Sequence, residues 1–277
     1  MAVVLFNNFP RSGGTILSKC LASLPKTVLI SEVNPAGNAL SSIREQAKEW
    51  YGIDLKQADF GPLVMELYDI CRRRGLQLIV RDFTYMNFIP NPANDFKPTN
   101  TLDNLNILRR HAEVKPFVMV RDAIDVWISR LKPPRFFEAY KTYVQEITRQ
   151  GLPMFKYEDF CREPEKILRR ICSEVDIGFS GSFKDYITLD KVTGDNLMKP
   201  VSRGVRQQII QPLKRQRLTK SEIHWLNNNS DMIEVNQVLN YPTNYYDKLL
   251  EKYPPFWWLK LKILMGKVKG KKPWSDF

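Results

Sequence analysis

The chain has 277 residues, 43% of them hydrophobic, and a formal net charge of +12. This length and apolar content are enough for a full core, and the charge favours a polyanionic partner such as a phosphorylated small molecule, an acidic polysaccharide, an anionic lipid or a nucleic acid. With only two histidines and four scattered cysteines, the composition argues against a zinc site.

Short apolar runs alternate with helical patterns along the first two thirds of the chain. The runs that predict strands are 3–6, 28–31, 76–80, 117–120 and 154–157. The patterns that predict helices are 15–24, 39–50, 62–74, 103–112, 123–131, 136–149 and 164–175. This alternation predicts an α/β fold with three layers (αβα) around a mainly parallel sheet of about five strands. One domain is expected over 1–252, followed by a basic, aromatic tail over 253–277.

Each predicted strand ends in polar or charged residues. The first strand leads into the turn that contains Arg11. The second to fifth strands end, in order, at Glu32, Arg81-Asp82, Arg121-Asp122 and Tyr157-Glu158-Asp159. Ligands of open parallel sheets bind beyond the carboxyl ends of the strands. The sequence therefore predicts a binding site at this edge.

The first predicted turn, Pro10-Arg11-Ser12-Gly13-Gly14-Thr15, lies between a strand and a helix. A glycine turn of this kind directs backbone N–H groups at one point on a helix N-terminus, which makes it an anion site and typically a phosphate site. Gly14 stands where a nucleoside-triphosphate loop has its lysine, and Asn8 stands where such a loop has its first glycine. The turn therefore predicts a phosphate-like ligand other than ATP or GTP.

A second anion site is predicted after the fourth strand. Asp122 is placed to cap the following helix, while Arg121 and Ser129 offer a guanidinium fork and a hydroxyl to a phosphate. Arg203-Gly204 is a further candidate, because it ends an irregular stretch over 178–206. The cations from Lys214 onward are expected to form a solvated basic run.

In this set of motifs the chain resembles the sulfotransferases that use 3′-phosphoadenosine 5′-phosphosulfate (PAPS). The turn at 10–15 is similar to the family's 5′-phosphosulfate loop, and Arg121 with Ser129 is similar to its 3′-phosphate motif. Arg203-Gly204 resembles the later arginine–glycine element, and Tyr157 within Phe155-Lys156-Tyr157-Glu158-Asp159-Phe160 resembles the tyrosine beside the adenine. The resemblance spans about residues 3–225.

The resemblance implies a P-loop-like nucleotide-binding fold and sulfuryl transfer from PAPS to a hydroxyl or amine, with adenosine 3′,5′-bisphosphate (PAP) as product and no metal. It implies that Arg11 stabilises the leaving group with help from Thr15. The cradle for the phosphosulfate would comprise Ser12, Gly13, Gly14 and Ile16 in addition to those two residues. Ile16 stands where the family often has an aromatic residue. Two alternatives stay open, a nucleotide-dependent kinase on the same scaffold and a catalytically inactive nucleotide-binding homologue.

The general base departs from the family pattern. Many members place a histidine just after the third strand, where this chain has Arg81-Asp82-Phe83-Thr84. Glu32 and Asp82 are the carboxylates at the strand ends that are available as bases, and we rank Glu32 first because other branches of the family use glutamate. The alternative for Asp82 is an ion pair with an arginine at the strand ends.

The acceptor is expected to be a small molecule, a glycan or a lipid. Candidate lining residues are Tyr85, Phe88, Phe136 and Phe137, with core packing as the alternative for each. For the tail, the open interpretations are docking on the domain, contact with an anionic membrane surface, dimer contacts and covering of a lipid-like acceptor. No motif supports a nucleic-acid partner. The absence of a signal-peptide pattern and of bilayer-length apolar stretches predicts a cytoplasmic protein.

Overall fold

The computed structural model describes residues 1–37, 41–90, 97–193, 209–212, 215 and 217–245. The strands are β1 (Val3–Asn8), β2 (Thr27–Val33), β3 (Gln77–Asp82), β4 (Val114–Val120) and β5 (Met154–Lys156). The first helices are α1 (Gly14–Ala22), α2 (Ile43–Tyr51), α3 (Phe60–Arg73), α4 (Tyr85–Phe88), α5 (Asp103–Leu108) and α6 (Ala123–Ser129). The later ones are α7 (Phe136–Arg149), α8 (Tyr157–Arg162), α9 (Pro164–Glu174), a 3-10 helix (Gly181–Ile187), α10 (Lys220–Asn227) and α11 (Ser230–Val238).

The strands form one sheet in the order β2-β3-β1-β4-β5, with every neighbouring pair parallel. Side chains of β1 alternate between two buried clusters, so that Val3 and Leu5 lie on one face and Val4 and Phe6 on the other. Helices α2, α3 and α7 cover the first face, and α1 and α9 cover the second. The predicted three-layer α/β fold is confirmed. The predicted division into 1–252 and 253–277 stays a prediction, because the tail lies outside the described residues.

Several element boundaries differ from the sequence predictions, and two of these differences bear on the site and its surroundings. The helix predicted over 103–112 ends at Leu108, because the next N–H groups, of Arg110 and His111, bond three residues back, to Ile107 and Leu108. Tyr157 is the first residue of α8 and not the last residue of a strand. Phe88, Phe136 and Phe137 are at most 4% exposed and belong to the core, which confirms the packing alternative for them.

None of the helices in the described residues has both the length and the apolar character that a bilayer crossing requires. The four cysteines are buried free thiols. Burial is the main reason that the pKa of each thiol is raised.

Candidate functional site

The turn between β1 and α1 is built as an anion cradle. Gly13 is the N-cap of α1 and has a φ of 87°, and the first helical hydrogen bond runs from Leu17 N–H to the Gly13 carbonyl. The N–H groups of Gly14, Thr15 and Ile16 therefore have no carbonyl of their own helix to bind. With nine residues, α1 also carries a helix dipole that favours an anion here.

Both glycines of the turn are required by close neighbours. A Cβ atom at Gly13 would lie 2.3 Å from Cδ2 of Tyr157, and one at Gly14 would lie 2.6 Å from Nη2 of Arg81. Neither distance is compatible with a side chain. The aromatic ring and the guanidinium therefore pack directly against the backbone of the cradle.

The structure brings the second predicted anion site onto the first. Nε of Arg11 donates to Oγ of Ser129 at 2.8 Å, and Nη1 of Arg121 donates to the Arg11 carbonyl at 3.0 Å. The guanidinium of Arg121 also lies over the ring of Tyr157, 4.6 Å from its centroid. Four residues from three parts of the sequence thus meet at one corner of the sheet edge, hereafter the anion corner: Arg11, Arg121, Ser129 and Tyr157.

The α6 helix that carries Ser129 is fixed at its N-terminus. The carboxylate of Asp122 accepts the N–H of Ile124 at 2.9 Å, as predicted for a helix cap. Arg215 reaches both Asp122, at 2.6 Å, and Asp125, at 2.5 Å. The prediction that Arg215 belongs to a solvated run is wrong, because two carboxylates in the first turn of α6 hold its side chain and leave it 26% exposed.

The pKa of Arg215 reflects this pairing. Burial alone lowers it, but the hydrogen bonds and charges of Asp125 and Asp122 outweigh that effect and raise it above the usual value. The neighbouring Glu158 accepts a hydrogen bond from the Tyr241 hydroxyl. Burial raises the pKa of Glu158.

Glu32 and Asp82 occupy different environments. One carboxylate oxygen of Glu32 pairs with Nη2 of Arg81 at 2.7 Å, and the other accepts from the Thr193 hydroxyl at 3.2 Å. Glu32 also has a φ of 53° and lies where the register between β2 and β3 shifts. A non-glycine residue in this conformation at a β-bulge is strained, and strained positions cluster at functional sites.

Asp82 is enclosed by amides. Its Oδ1 accepts from Nδ2 of Asn34 at 3.0 Å and from Nδ2 of Asn104 at 2.8 Å, and the residue is 2% exposed. Burial raises the pKa of Asp82 to about 7, an effect that the Asn34 hydrogen bond opposes and the Asp103 charge reinforces. The ion pair with an arginine that the sequence suggested for Asp82 is made by Glu32.

The sequence places Arg81 at the predicted edge but gives it no catalytic or binding role. Its guanidinium bonds Asn8 Oδ1 at 3.2 Å and Glu32, and it packs against Gly14. The available signal was its position at the end of β3, beside Asp82. Ser12 is fully buried, while Thr15 and Ile16 are partly exposed at the start of α1. Arg203 and Gly204 lie outside the described residues.

No protein-family model matches the sequence, and no curated protein matches it either. Solved structures do match the fold. The sulfotransferase domain from the Synechococcus PCC 7002 olefin synthase aligns with a TM-score of 0.54 and 17% identity, over 87% of this chain and 94% of that domain. The sulfotransferase domain from the curacin biosynthetic pathway aligns with a TM-score of 0.52 and 15% identity, over 87% and 98%. The chain therefore has a sulfotransferase-like fold.

Proposed function

We propose that this chain is a sulfotransferase that uses PAPS and releases PAP. The observation that carries the proposal is the hydrogen bond between Arg11 and Ser129, which joins the cradle of α1 to the second anion site. A single nucleotide with a phosphosulfate and a 3′-phosphate has two anionic groups to place, and this corner offers two adjacent sites for them. A second site facing away from the cradle would have argued against it.

The residues present fit such a ligand. The cradle has no room for a Cβ atom at Gly13 or Gly14, and it presents the N–H groups at the start of α1. Nε of Arg121 is buried and has no hydrogen-bond partner among the described residues, so this guanidinium retains capacity for an anion. Tyr157 packs against both elements, and the family resemblance assigns the tyrosine at this position to the adenine.

When bound, the nucleotide supplies an activated sulfuryl group. Arg11 and the N–H groups of α1 stabilise the negative charge on the phosphate oxygen that leaves. Removing one preorganised donor of this kind raises the activation free energy by roughly 3–4 kcal/mol. Arg81, packed against Gly14, adds a second cation at the same cradle. Arg121 and Ser129 hold the 3′-phosphate and so orient the donor.

We assign the general base to Glu32. Its side chain is 14% exposed, and its pairing with Arg81 holds it at the cradle, whereas Asp82 is enclosed by two amides. Glu32 accepts the proton of the acceptor hydroxyl or amine as the new bond to sulfur forms. Glu32→Gln should lower kcat at least tenfold and leave the Kd for PAP within about twofold. A larger loss of PAP affinity than of kcat would move the base elsewhere.

The test of the function needs no acceptor. Isothermal titration with PAP, AMP, ADP and ATP should give the tightest binding for PAP. Both Arg121→Gln and Ser129→Ala should weaken PAP binding at least tenfold and change AMP binding little. Equal losses for PAP and AMP would remove the 3′-phosphate site. Tightest binding of ATP, with transfer of its γ-phosphate, would instead identify a kinase. Tight PAP binding without turnover on any acceptor would identify an inactive homologue.

A further inference from the structure

Arg130 directly follows Ser129 and is the C-cap of α6. Its guanidinium lies over the ring of Tyr85, 5.2 Å from the centroid. Tyr85 begins α4, just beyond β3, while Arg130 belongs to the helix that follows β4. Since β1 lies between β3 and β4, this contact joins the elements that follow the two neighbours of β1, the strand that leads into the cradle.

Within the described residues, no carboxylate balances the charge of Arg130. Nε of Arg130 is buried without a hydrogen-bond partner, and no carboxylate in the described part of the chain pairs with the guanidinium. Burial lowers the pKa of Arg130, and Tyr85 opposes this shift only in part. By contrast, Arg81 and Arg215 both reach carboxylates. Burying a guanidinium without an anion costs free energy that a bound anion recovers.

We propose that the acceptor is an anion and that Arg130, stacked on Tyr85, binds its carboxylate or phosphate ester. This inference rests on the proposed sulfotransferase function and names the class of its acceptor. Tyr85 covers one face of the guanidinium and shares a hydrogen bond with it, and the buried Nε at its edge stays available to an oxygen of an anion. The net charge of +12 steers anionic acceptors to the protein.

The donor nucleotide is a poorer occupant for Arg130. Its two anionic groups have the cradle and the Arg121/Ser129 pair, and Arg121 contacts Tyr157 on the β5 side of the site. Arg130 contacts Tyr85 on the β3 side. The two arginines, one just before α6 and one at its end, thus serve opposite sides of β1, one for the donor and one for the acceptor.

The experiment uses matched acceptors on one scaffold. Glucose, glucuronate and glucose 6-phosphate are neutral, carboxylate and phosphate versions of one sugar, and 4-hydroxyphenylacetamide and 4-hydroxyphenylacetate form a phenolic pair. Transfer from labelled PAPS is measured for the wild type, Arg130→Gln, Arg130→Lys and the control Arg72→Gln, an exposed arginine on α3. In parallel, each compound is titrated into the protein–PAP complex.

The wild type should prefer the anionic members at least about tenfold in kcat/KM, or bind them correspondingly tighter in the titration. Arg130→Gln should bring the ratio of kcat/KM between anionic and neutral acceptors close to one, mainly by raising the KM for the anionic ones. Arg130→Lys should restore part of this ratio, and Arg72→Gln should leave it unchanged. The Kd for PAP should stay within twofold in all variants. Whether the carboxylate or the phosphate is favoured identifies the group that Arg130 recognises.

Three outcomes would overturn the proposal. In the first, the neutral compounds accept the sulfuryl group or bind as well as the anionic ones. In the second, the preference for anionic compounds survives in Arg130→Gln. In the third, Arg130→Gln weakens PAP binding instead, which would assign Arg130 to the donor. Absence of binding by every probe to the PAP complex also counts against it. If PAP itself fails to bind to the wild type, the proposed function fails, a result that the PAP titration alone reveals.

Discussion

Nε of Arg11 lies 2.8 Å from Oγ of Ser129, although the two residues are 118 positions apart in the sequence. Arg11 has a φ of 78°, a left-handed conformation that is uncommon for arginine. Its carbonyl accepts Nη1 of Arg121, so the strained backbone and the side chain of one residue bind both members of the second anion site. The link makes the two sites a single unit.

This link predicts coupled kinetic effects. Arg11→Ala should reduce kcat by about 10²–10³-fold, since it removes a donor aimed at the leaving oxygen, and should change the Tm by little. Ser129→Ala should reduce kcat by a smaller factor. In the double variant the two losses should fall short of additivity by about 1 kcal/mol, as expected for side chains in direct contact.

The measurement is a double-mutant cycle on kcat/KM, with Arg72→Ala as the matched control because Arg72 forms an exposed pair on α3. Strict additivity of the Arg11 and Ser129 losses would show that the contact has no role in turnover. Near-normal turnover in Arg11→Ala would refute its assignment to the leaving group.

The positive φ of Gly13 and its close contact with Tyr157 allow a second prediction. Gly13→Ala should destabilise the protein by about 1 kcal/mol for its positive φ and by more for the contact 2.3 Å from Tyr157, and it should abolish PAP binding. Gly75 offers the control, since it has a φ of 66° and a Cβ atom added there would have no described atom within 4 Å. Gly75→Ala should therefore lower the free energy of unfolding only by the cost of placing alanine at a positive φ.

Urea unfolding of both variants gives the comparison. Equal losses in free energy of unfolding for Gly13→Ala and Gly75→Ala would mean that the Tyr157 ring does not lie against the cradle. In that case the anion corner would be more open than the structure has it.

Hydropathy located every strand but missed the polar ends of β1 and β3. The apolar run of the first strand stops at Phe6, yet β1 continues through Asn7 and Asn8, and β3 continues through Arg81 and Asp82. Ladder hydrogen bonds to neighbouring strands extend these strands, and backbone pairing leaves no trace in the apolar pattern. The polar ends were nevertheless recognised as the site, because the rule for parallel sheets concerns where strands end.

Pairing between distant charges was beyond the sequence. Arg215 lies among basic residues, so local composition favoured a solvated run, whereas its partners Asp122 and Asp125 lie 93 and 90 positions away. Likewise, nothing local indicates that Arg81 pairs with Glu32 rather than with its neighbour Asp82. The bulge that turns Glu32 toward Arg81 is set by strand register, and register depends on the whole sheet.

The buried carboxyl of Asp82 predicts a pH effect on stability. Because its pKa in the folded protein is about 7 and an exposed aspartate titrates near 4, the folded state alone holds this proton between the two values. Its contribution to the free energy of unfolding is therefore largest in acid, falls as the pH rises toward 7 and is constant above that.

Asp82→Asn removes this proton and keeps the shape. The difference in free energy of unfolding between wild type and Asp82→Asn should fall by on the order of 2–4 kcal/mol between about pH 4.5 and 7.5, measured by urea unfolding at several pH values. A difference that is independent of pH, or that grows as pH rises, would show that Asp82 is ionised in the folded protein.

Arg215 predicts how α6 is held. Arg215→Gln should destabilise the protein by about 3 kcal/mol, because Asp122 and Asp125, both less than 15% exposed, would keep buried charges without their partner. The matched control is Arg72→Gln, since Arg72 pairs with Asp69 in water with both side chains about half exposed, where such a pair contributes at most about 1 kcal/mol. Asp122 directly follows Arg121, so Arg215→Gln should also weaken PAP binding several-fold while AMP binding changes less. If Arg215→Gln unfolds at the same urea concentration as Arg72→Gln, the ion pairs do not hold α6, and the position of Ser129 depends on packing alone.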